Sequence, residues 1–381
     1  MKIEQVKTYK ISLPFLMDIS HSLTKSASAQ NIVVEIVADG GKIKGYGEGA
    51  PRDYVTGGSQ QEAVENIQQI IRNDPFPWEL HEASQIWDFI DGLPDNKRTN
   101  PAICALEMAL LDALGKAQER NIIKFFSHDF LRSKVYYGCG LPLAAKEKLT
   151  AMGHRIKKLE INKIKLKMGG ILEKNQEAFE IIHRVFDGDY DLKIDVNCAW
   201  GDELALRHIP LLKKYHVKVV EQPMVPDDPA IARFAEAIRD LGVRLMADES
   251  ACTYSEVEKL NHEGHYNMIN VRLSKLGGFR KSLKIIDYLR KTNLSFQIGC
   301  HLGESGILSA AGRVLSLLCR DSLYDDGSYD HLLLKKNITQ QPVSFGLYGE
   351  AGPLNGPGLG VEISEKNLNQ LRVAPVLLIE R

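Results

Sequence analysis

Residues 163–168 read KIKLKM and residues 192–197 read LKIDVN. Both are short, mainly apolar segments, and each is followed by a stretch with helical periodicity. This pattern recurs along the chain and predicts strands at Val135–Gly140, Lys163–Met168, Leu192–Asn197, Val217–Glu221, Arg244–Asp248, Met268–Leu273 and Ser295–Gly299. Strands that alternate with helices indicate βαβ units around a parallel sheet. Seven strands in one series favour a (β/α)7–8 TIM-type barrel over an open doubly wound sheet.

The chain on either side of this series has a different pattern. Lys2–Leu13 and Asn31–Val37 alternate like strands, and Ser59–Glu119 has helical periodicity. Strands followed by helices are typical of an α+β unit. Residues 344–361 are rich in glycine and proline, which predicts a long loop that returns to this unit. We therefore predict an α+β domain over residues 1–130, completed by about residues 345–381, and a barrel catalytic domain over residues 131–344.

Composition excludes several classes of partner. The chain has 48 Lys and Arg against 49 Asp and Glu, a net charge of −1, so it lacks the basic surface that nucleic acids or acidic membranes require. A small-molecule ligand is expected instead. The six cysteines are scattered without CxxC spacing, which indicates a reduced, cytoplasmic protein. No signal-peptide pattern or long apolar run predicts export or a membrane span.

Five ionisable residues follow the strand series at a nearly constant interval. Lys167, Asp195, Glu221, Asp248 and Lys275 are separated by 28, 26, 27 and 27 residues. This interval is about one βα repeat, so each residue is expected at the carboxyl end of a strand, the rim where barrel enzymes place their catalytic groups. Three carboxylates on neighbouring strands form an all-oxygen ligand set that suits Mg²⁺ better than Zn²⁺.

The two lysines of this set are expected on the second and sixth strands, opposite each other in a ring of eight. Lysines on opposite sides of a bound substrate suit removal of a proton from one face of a carbon and its return to the other. A carbon next to a carboxylate is too weak an acid for a lysine unless a metal ion stabilises the enolate. Lys165 lies two residues before Lys167 on the same face, and its charge is expected to lower the pKa of Lys167.

The strings around these residues resemble those of the enolase superfamily, in its muconate-lactonizing-enzyme subgroup. They are KLK (165–167), DVN (195–197), EQP (221–223), ADES (247–250) and NVRLSK (270–275), together with GYGE (45–48) and GPGLG (356–360). The resemblance spans the chain and implies a TIM barrel with an N-terminal capping domain, in a protein that forms homo-oligomers. It implies that Asp195, Glu221 and Asp248 bind Mg²⁺. It also implies that Lys167 and Lys275 are the acid and base, with Lys165 as electrostatic support.

Further residues are expected to contact the substrate. They are Asn197, Glu249, His301, Glu304, Asp325, Asp326 and Tyr54, the last together with His21 from segments 20–30 and 51–58 that are expected to close over the site. The mandelate-racemase branch has a catalytic histidine after strand seven, but it pairs that histidine with an aspartate where this chain has Lys275. His301 is therefore expected to line the pocket or to be structural.

The strand-eight rim carries a second resemblance within the same subgroup. Members that epimerise dipeptides often hold the substrate ammonium group with an Asp-x-Asp pair, and Asp325 and Asp326 are an inexact match. Adjacent residues of a strand point to opposite sides, so only one of these two can face the pocket. A polar loop with turn residues is the alternative interpretation.

Three hypotheses for function follow. The first is an isomerase: a Mg²⁺-dependent racemase or epimerase that removes and returns the proton alpha to a carboxylate, acting on a dipeptide or an N-acylamino acid. The second shares the enolate but ends in cycloisomerisation or β-elimination, as in muconate lactonization or o-succinylbenzoate synthesis. The third is a barrel that binds a metal chelate without turning it over.

Overall fold

The structure is a computed structural model that describes residues 1–21 and 24–381, with side chains outside residues 18–25. Its strands are β1 (Ile3–His21), β2 (Thr24–Ala38), β3 (Ile43–Gly49), β4 (Val135–Tyr136), β5 (Cys139–Leu141), β6 (Lys163–Lys167), β7 (Asp191–Asp195), β8 (Val219–Glu221), β9 (Arg244–Ala247), β10 (Met268–Val271), β11 (Ser295–Ile298), β12 (Tyr324–Asp325), β13 (Glu350–Ala351) and β14 (Leu377–Glu380).

The α-helices are α1 (Asp53–Thr56), α2 (Gln60–Asn73), α3 (Ala83–Asp91), α4 (Asn100–Ala117), α5 (Lys146–Lys158), α6 (Leu172–Val185), α7 (Asp202–Lys214), α8 (Ala230–Ile238), α9 (Tyr254–Glu263), α10 (Leu273–Leu276), α11 (Phe279–Thr292), α12 (Gly306–Leu317), α13 (Asp330–Leu333) and α14 (Glu365–Leu371). Short 3₁₀ helices occur at Ile122–Phe125, Arg239–Leu241 and Leu347–Gly349. Among the described residues, no helix is both long and apolar enough to cross a membrane.

The N-terminal region is an antiparallel sheet in the order β14-β1-β2-β3. The strand β1 pairs with β2 over most of its length and also with the C-terminal strand β14, where Gln5 lies opposite Glu380. The chain therefore returns to its first sheet after the barrel. Helix α4, which is buried along nearly its whole length, packs against β3.

Glycines at alternate positions of β3 allow this helix to lie directly on the sheet. A Cβ atom added to Gly47 would overlap the backbone of Ala105 and Ala109, and one added to Gly45 would overlap that of Ala109 and Ala113. The sheet and the helix thus approach so closely that only glycine, which has no Cβ atom, fits at these positions.

The remainder is an eight-stranded parallel sheet in the order β5-β6-β7-β8-β9-β10-β11-β12. The N–H of Gly138, just before β5, donates to the carbonyl of Asp325 in β12 at 2.9 Å, so the two edge strands meet. Helices follow the strands, and the prediction of a TIM-type barrel with an N-terminal α+β cap is confirmed. Eight strands are present where the sequence series predicted seven, because the last one, Tyr324–Asp325, is only two residues long.

The predicted strand Val135–Gly140 is wrong as a single element. Val135 and Tyr136 pair with β13, outside the barrel, whereas Cys139 begins the first barrel strand. Between them, the Tyr137 N–H donates to the Gly349 carbonyl at 2.9 Å. The segment therefore changes hydrogen-bonding partner at residues 137–138, which an apolar run alone does not indicate.

Two buried carboxylates join the cap to the barrel. Glu48 of β3 accepts the backbone N–H groups of Ser305 and Leu308 at the start of α12, at 3.0 Å each. Glu107 of α4 accepts the N–H groups of Phe279 and Arg280 at the start of α11. A carboxylate is favoured at a helix N-terminus because it satisfies free N–H groups and faces the positive end of the helix dipole.

The contact between β3 and α4 gives a stability prediction. Substitution Gly47→Ala should lower the free energy of unfolding by about 1–3 kcal/mol or more, because the new methyl group meets backbone atoms that cannot move separately. The control Gly312→Ala, in the middle of α12 with no atom within 4 Å of the new Cβ, should instead raise it by about 0.5–1 kcal/mol. Urea denaturation measures both, and equal effects of the two substitutions would contradict this account of the packing.

Candidate active site

Three carboxylates lie side by side at the carboxyl ends of neighbouring barrel strands. Asp195 is the last residue of β7 and pairs in register with Glu221, the last residue of β8. Asp248 follows directly after β9. All three side chains are fully buried. Buried carboxylates require charged or polar partners, and each of these three has them.

The partners are cationic side chains at both ends of the row. Lys167 Nζ lies 2.6 Å from Asp195 Oδ2, and Lys275 Nζ lies 2.9 Å from Asp248 Oδ1. Arg272 donates to Asp248 Oδ2 and lies 3.3 Å from Glu221 Oε1. Burial alone would raise the pKa of Asp248, but Arg272 and Lys275 hold this pKa below its usual range.

The two lysines approach the row from different strands. Lys167 ends β6, next to β7, and its amine also donates to Asn197 Oδ1 at 2.6 Å. Lys275 lies in the short helix α10 after β10, where its amine also donates to the carbonyls of Asn270 and Asp248 at 2.7 and 2.9 Å. The second and sixth barrel strands thus supply one amine each, at the two outer carboxylates.

Lys165 and Asp326 form a second buried ionic group below this row. Lys165 Nζ lies 2.8 Å from Asp326 Oδ2 and 3.5 Å from Glu221 Oε2. Burial would lower the pKa of Lys165, but the carboxylates of Asp326, Glu221 and Asp195 outweigh it and raise this pKa. Lys193 Nζ also contacts Asp326 at 3.2 Å and donates to Gln297 Oε1 at 2.7 Å.

Sequence reasoning did not identify Lys193, Asn270 or Arg272 as site residues. Asn270 Nδ2 donates to Glu221 Oε1 at 2.6 Å, so both strand-six residues contact the carboxylate row. Side-chain alternation was the available signal. Lys193 lies two residues before Asp195 and therefore shares its face of the strand, as Arg272 shares that of Asn270.

Asn197 and Glu249, two of the expected substrate contacts, lie beside the row. Asn197 bridges Lys167 and Glu249, since its Nδ2 donates to Glu249 Oε1 at 3.0 Å. The other oxygen of Glu249 is buried, and it has no hydrogen-bond partner in the described structure. Burial, together with the nearby Asp248, raises the pKa of Glu249 to about 8.

His301 and Glu304 lie on the loop after β11. Glu304 Oε1 accepts the backbone N–H of His301 at 2.7 Å. The His301 side chain is 2% exposed, and among described atoms its Nε2 has no hydrogen-bond partner. Burial lowers the pKa of His301 well below its usual value and raises that of Glu304 to about 8. Both shifts favour the neutral form of the side chain.

The two aspartates of strand eight face opposite ways. Asp325 pairs with Arg132 at 2.6 Å and accepts from Ser322, whereas Asp326 pairs with the interior lysines 165 and 193. Both carboxylates are thus already compensated by cations. The alternation predicted that only one of them could face the interior, and that one is Asp326.

Tyr54 lines a cavity of about 240 Å³ between the cap and the rim of the barrel. Its walls come from both predicted closing segments and from the loop after His301, through Ser28, Gln30, Arg52 and Leu302 among others. The side chain of His21 lies outside the described residues.

The oxygen atoms of the carboxylate row are suitable ligands for a divalent cation. The row offers oxygen ligands only, and Glu221 Oε2 is buried without a hydrogen-bond partner among described atoms. An all-oxygen set of this kind is what Mg²⁺ prefers. Among the described residues, no three His, Cys, Asp or Glu side chains are already arranged to coordinate one metal ion. Cationic side chains contact the oxygens of all three carboxylates instead.

The chain is similar over nearly its whole length to an epimerase, a cycloisomerase and a racemase. A family model described as "Enolase C-terminal domain-like" matches residues 144–367. A hydrophobic dipeptide epimerase from Enterococcus faecalis is 26% identical over 380 residues, covering 97% of each chain. Muconate cycloisomerase 1 from Rhodococcus opacus is 27% identical over 375 residues, covering 96% of each chain. The crystal structure of an N-succinyl Arg/Lys racemase from Bacillus cereus matches with a TM-score of 0.87 at 22% identity, covering 100% of both chains.

The buried ion pairs of Asp326 with Lys165 and Lys193 predict that substitutions at Asp326 and Lys193 have non-additive effects on stability. Asp326→Asn should destabilise the protein by about 3–5 kcal/mol, because two buried ammonium groups lose their counter-charge. Adding Lys193→Met removes one of these ammonium groups, so the double variant should be less destabilised than the sum of the single variants. Urea denaturation of the four proteins measures this coupling. Additivity within about 0.5 kcal/mol would show that the contact contributes nothing specific.

Glu304 predicts a pH dependence of stability. Its pKa rises from an ordinary 4.5 to about 8 in the fold, so the unfolded chain loses this proton at lower pH than the folded protein. The stability that the folded protein gains by holding this proton is complete below the pKa of Glu304 in the unfolded chain. It is lost as the pH rises through the pKa of Glu304 in the folded protein. The free energy of unfolding should therefore fall less between about pH 5 and pH 8 in Glu304→Gln than in the wild type. The exposed control Glu177→Gln should follow the wild type, and parallel curves for Glu304→Gln would contradict the assignment.

Proposed function

The chain belongs to the enolase superfamily, in the muconate-lactonizing-enzyme subgroup, and we propose that it is a Mg²⁺-dependent racemase or epimerase. Named epimerases and a cycloisomerase are among its relatives, and it is an isomerase of this superfamily. One observation carries the proposal. A buried row of three carboxylates is flanked by one amine from the second barrel strand and one from the sixth.

The proposed site binds a substrate carboxylate next to this row. Asp195, Glu221 and Asp248 would hold the Mg²⁺ ion, which supplies positive charge to offset the negative charge that develops when the alpha carbon loses its proton. Lys167 and Lys275 take and return that proton on opposite faces. Each amine is held by fixed acceptors, Asn197 Oδ1 for Lys167 and the Asn270 carbonyl for Lys275, so each has a defined direction toward the substrate.

The two lysines need opposite protonation states at the start of a turnover. A neutral amine accepts the proton, and the ammonium group on the other side supplies one. After the exchange their states are reversed, which suits an enzyme that works in both directions. Lys165, whose amine lies within 4 Å of Glu221 and Asp195, supports the carboxylate row with a further positive charge.

We propose an N-acylated amino acid as substrate, a class that includes dipeptides. The activities for which two relatives are named, dipeptide epimerisation and racemisation of N-succinyl-Arg/Lys, support this class. The buried side chains of Glu249, His301 and Glu304 supply polar atoms for the acylamino group, and the cavity at Tyr54 receives the rest of the substrate. We do not assign the substrate ammonium group of a dipeptide to strand eight, because Asp325 and Asp326 are each paired with cations.

A second candidate function is cycloisomerisation. The muconate cycloisomerase from Rhodococcus opacus favours it, at an identity as high as that of the epimerases. The two reactions share an enolate intermediate and differ in its fate. A product with a new ring or double bond identifies cycloisomerisation or elimination, whereas inversion without a change of mass in ordinary water identifies epimerisation.

We further propose a cytoplasmic homo-oligomer that acts on a small-molecule carboxylate. All six cysteines are unpaired, which supports a reducing compartment. Size-exclusion chromatography with light scattering gives the number of chains in the assembly.

The proton chemistry is tested by a screen of dipeptides and N-acylamino acids with Mg²⁺ in deuterated buffer. An active substrate should gain one deuterium at its alpha carbon, detected by mass spectrometry, and should give both stereoisomers by chiral chromatography. Lys167→Ala and Lys275→Ala should each abolish inversion, but each should still exchange the alpha proton of one stereoisomer, a different one in the two variants. This split follows from amines on opposite faces of the carbon.

The exposed control Lys213→Ala should behave as the wild type. If both active-site variants kept full inversion, the lysines would not be the acid and base. If no compound in the screen exchanged its alpha proton while the folded protein bound Mg²⁺, the chelate-binding interpretation would replace the enzymatic one.

A further inference from the structure

Arg272 has no role in the proposed proton transfer, yet its guanidinium group lies inside the carboxylate row. It is 7% exposed and donates through one nitrogen, Nη2, to both Asp248 and Glu221. Its Nε is buried and has no hydrogen-bond partner in the described structure. The position of this cation is therefore governed by the two carboxylates rather than by other acceptors.

The acceptors that Arg272 uses are the same ones that a metal ion needs. Asp248 has two carboxylate oxygens, and both are already engaged, Oδ1 by Lys275 and Oδ2 by Arg272. Glu221 Oε1 accepts from Asn270 and Arg272, whereas Oε2 has no hydrogen bond among the described residues and lies 3.5 Å from Lys165 Nζ. A cation that coordinates Asp248 through Oδ2, or Glu221 through Oε1, therefore shares that oxygen with the guanidinium group of Arg272.

Arg272 is the donor that can be displaced. Lys275 is held by two backbone carbonyls in addition to Asp248 Oδ1, so its amine keeps its place. Arg272 approaches Asp248 and Glu221 by one nitrogen only. A guanidinium group close to a divalent cation also repels it, and this repulsion is strong where water is excluded.

We propose that Arg272 competes with the divalent cation for Asp248 and Glu221, and so sets how tightly the site holds metal. The inference rests on the proposed function only in that these residues are the metal ligands. Arg272 is a positioning residue in this scheme. In the metal-free protein it neutralises two buried carboxylates and stabilises the fold, and on metal binding it gives up the shared oxygen.

The test is the affinity for Mn²⁺ and Mg²⁺, measured by calorimetry and by the electron paramagnetic resonance signal of free Mn²⁺. Arg272→Gln should bind both ions at least tenfold more tightly than the wild type, a change of about 1.4 kcal/mol in binding free energy. The same variant should unfold at a lower temperature without metal and should gain more from added metal. Arg272→Lys, which keeps the charge but shortens the reach, should have an intermediate affinity.

Arg132→Gln is the matched control, because it removes an arginine paired with a buried aspartate, Asp325, outside the carboxylate row. It should leave the metal affinity unchanged. Unchanged or weaker metal binding by both Arg272 variants, with a wild type that binds metal, would overturn the proposal and leave the proposed function standing. A wild type that binds neither ion, or an Asp248→Asn variant that binds as tightly as the wild type, would overturn the metal site itself.

Discussion

Buried carboxylates inside the barrel require a matching set of buried cations, and this requirement shapes the whole site. Asp195, Glu221, Asp248 and Asp326 are all completely or almost completely buried, and an uncompensated carboxylate in such a place costs several kcal/mol. They are compensated by the cations Lys165, Lys167, Lys193, Arg272 and Lys275, each from an inward-facing or rim position of a barrel strand or the turn that follows it. A stable apolar core does not require this arrangement. The chemistry proposed for the rim accounts for the presence of these buried ion pairs.

Buried carboxylates also join the cap to that rim. Glu48 and Glu107 reach from the cap to the N-termini of α12 and α11, the helices that follow His301 and Lys275 in the chain. The orientation of these two barrel segments is therefore linked to the packing of the cap sheet on α4, which the glycines of β3 make possible. The cavity beside Tyr54 lies at the same contact between the cap and the barrel. Changes in the cap are thus expected to alter the proposed substrate pocket without contacting the carboxylates.

The sequence predicts those parts of the molecule that depend on local periodicity. The repeat of about 27 residues was enough to place charged residues at neighbouring strand ends, because the carboxyl ends of parallel strands meet at one rim. It could not predict contacts across the barrel. Lys193 and Asp326 are 133 residues apart, and Arg132 and Asp325 are 193 apart, so no local pattern reveals that both aspartates are already paired. The break between Tyr136 and Cys139 has the same origin, since its cause is a distant strand.

Asp195, Glu221 and Asp248 are proposed to bind one divalent cation. An anomalous difference map from crystals grown with Mn²⁺ tests it most directly, because the signal locates the ion without reference to activity. We expect one strong peak next to all three carboxylates, with the guanidinium group of Arg272 moved away from Asp248 Oδ2. No peak at the row, or a peak held by other residues while Arg272 still bridges Asp248 and Glu221, would contradict it.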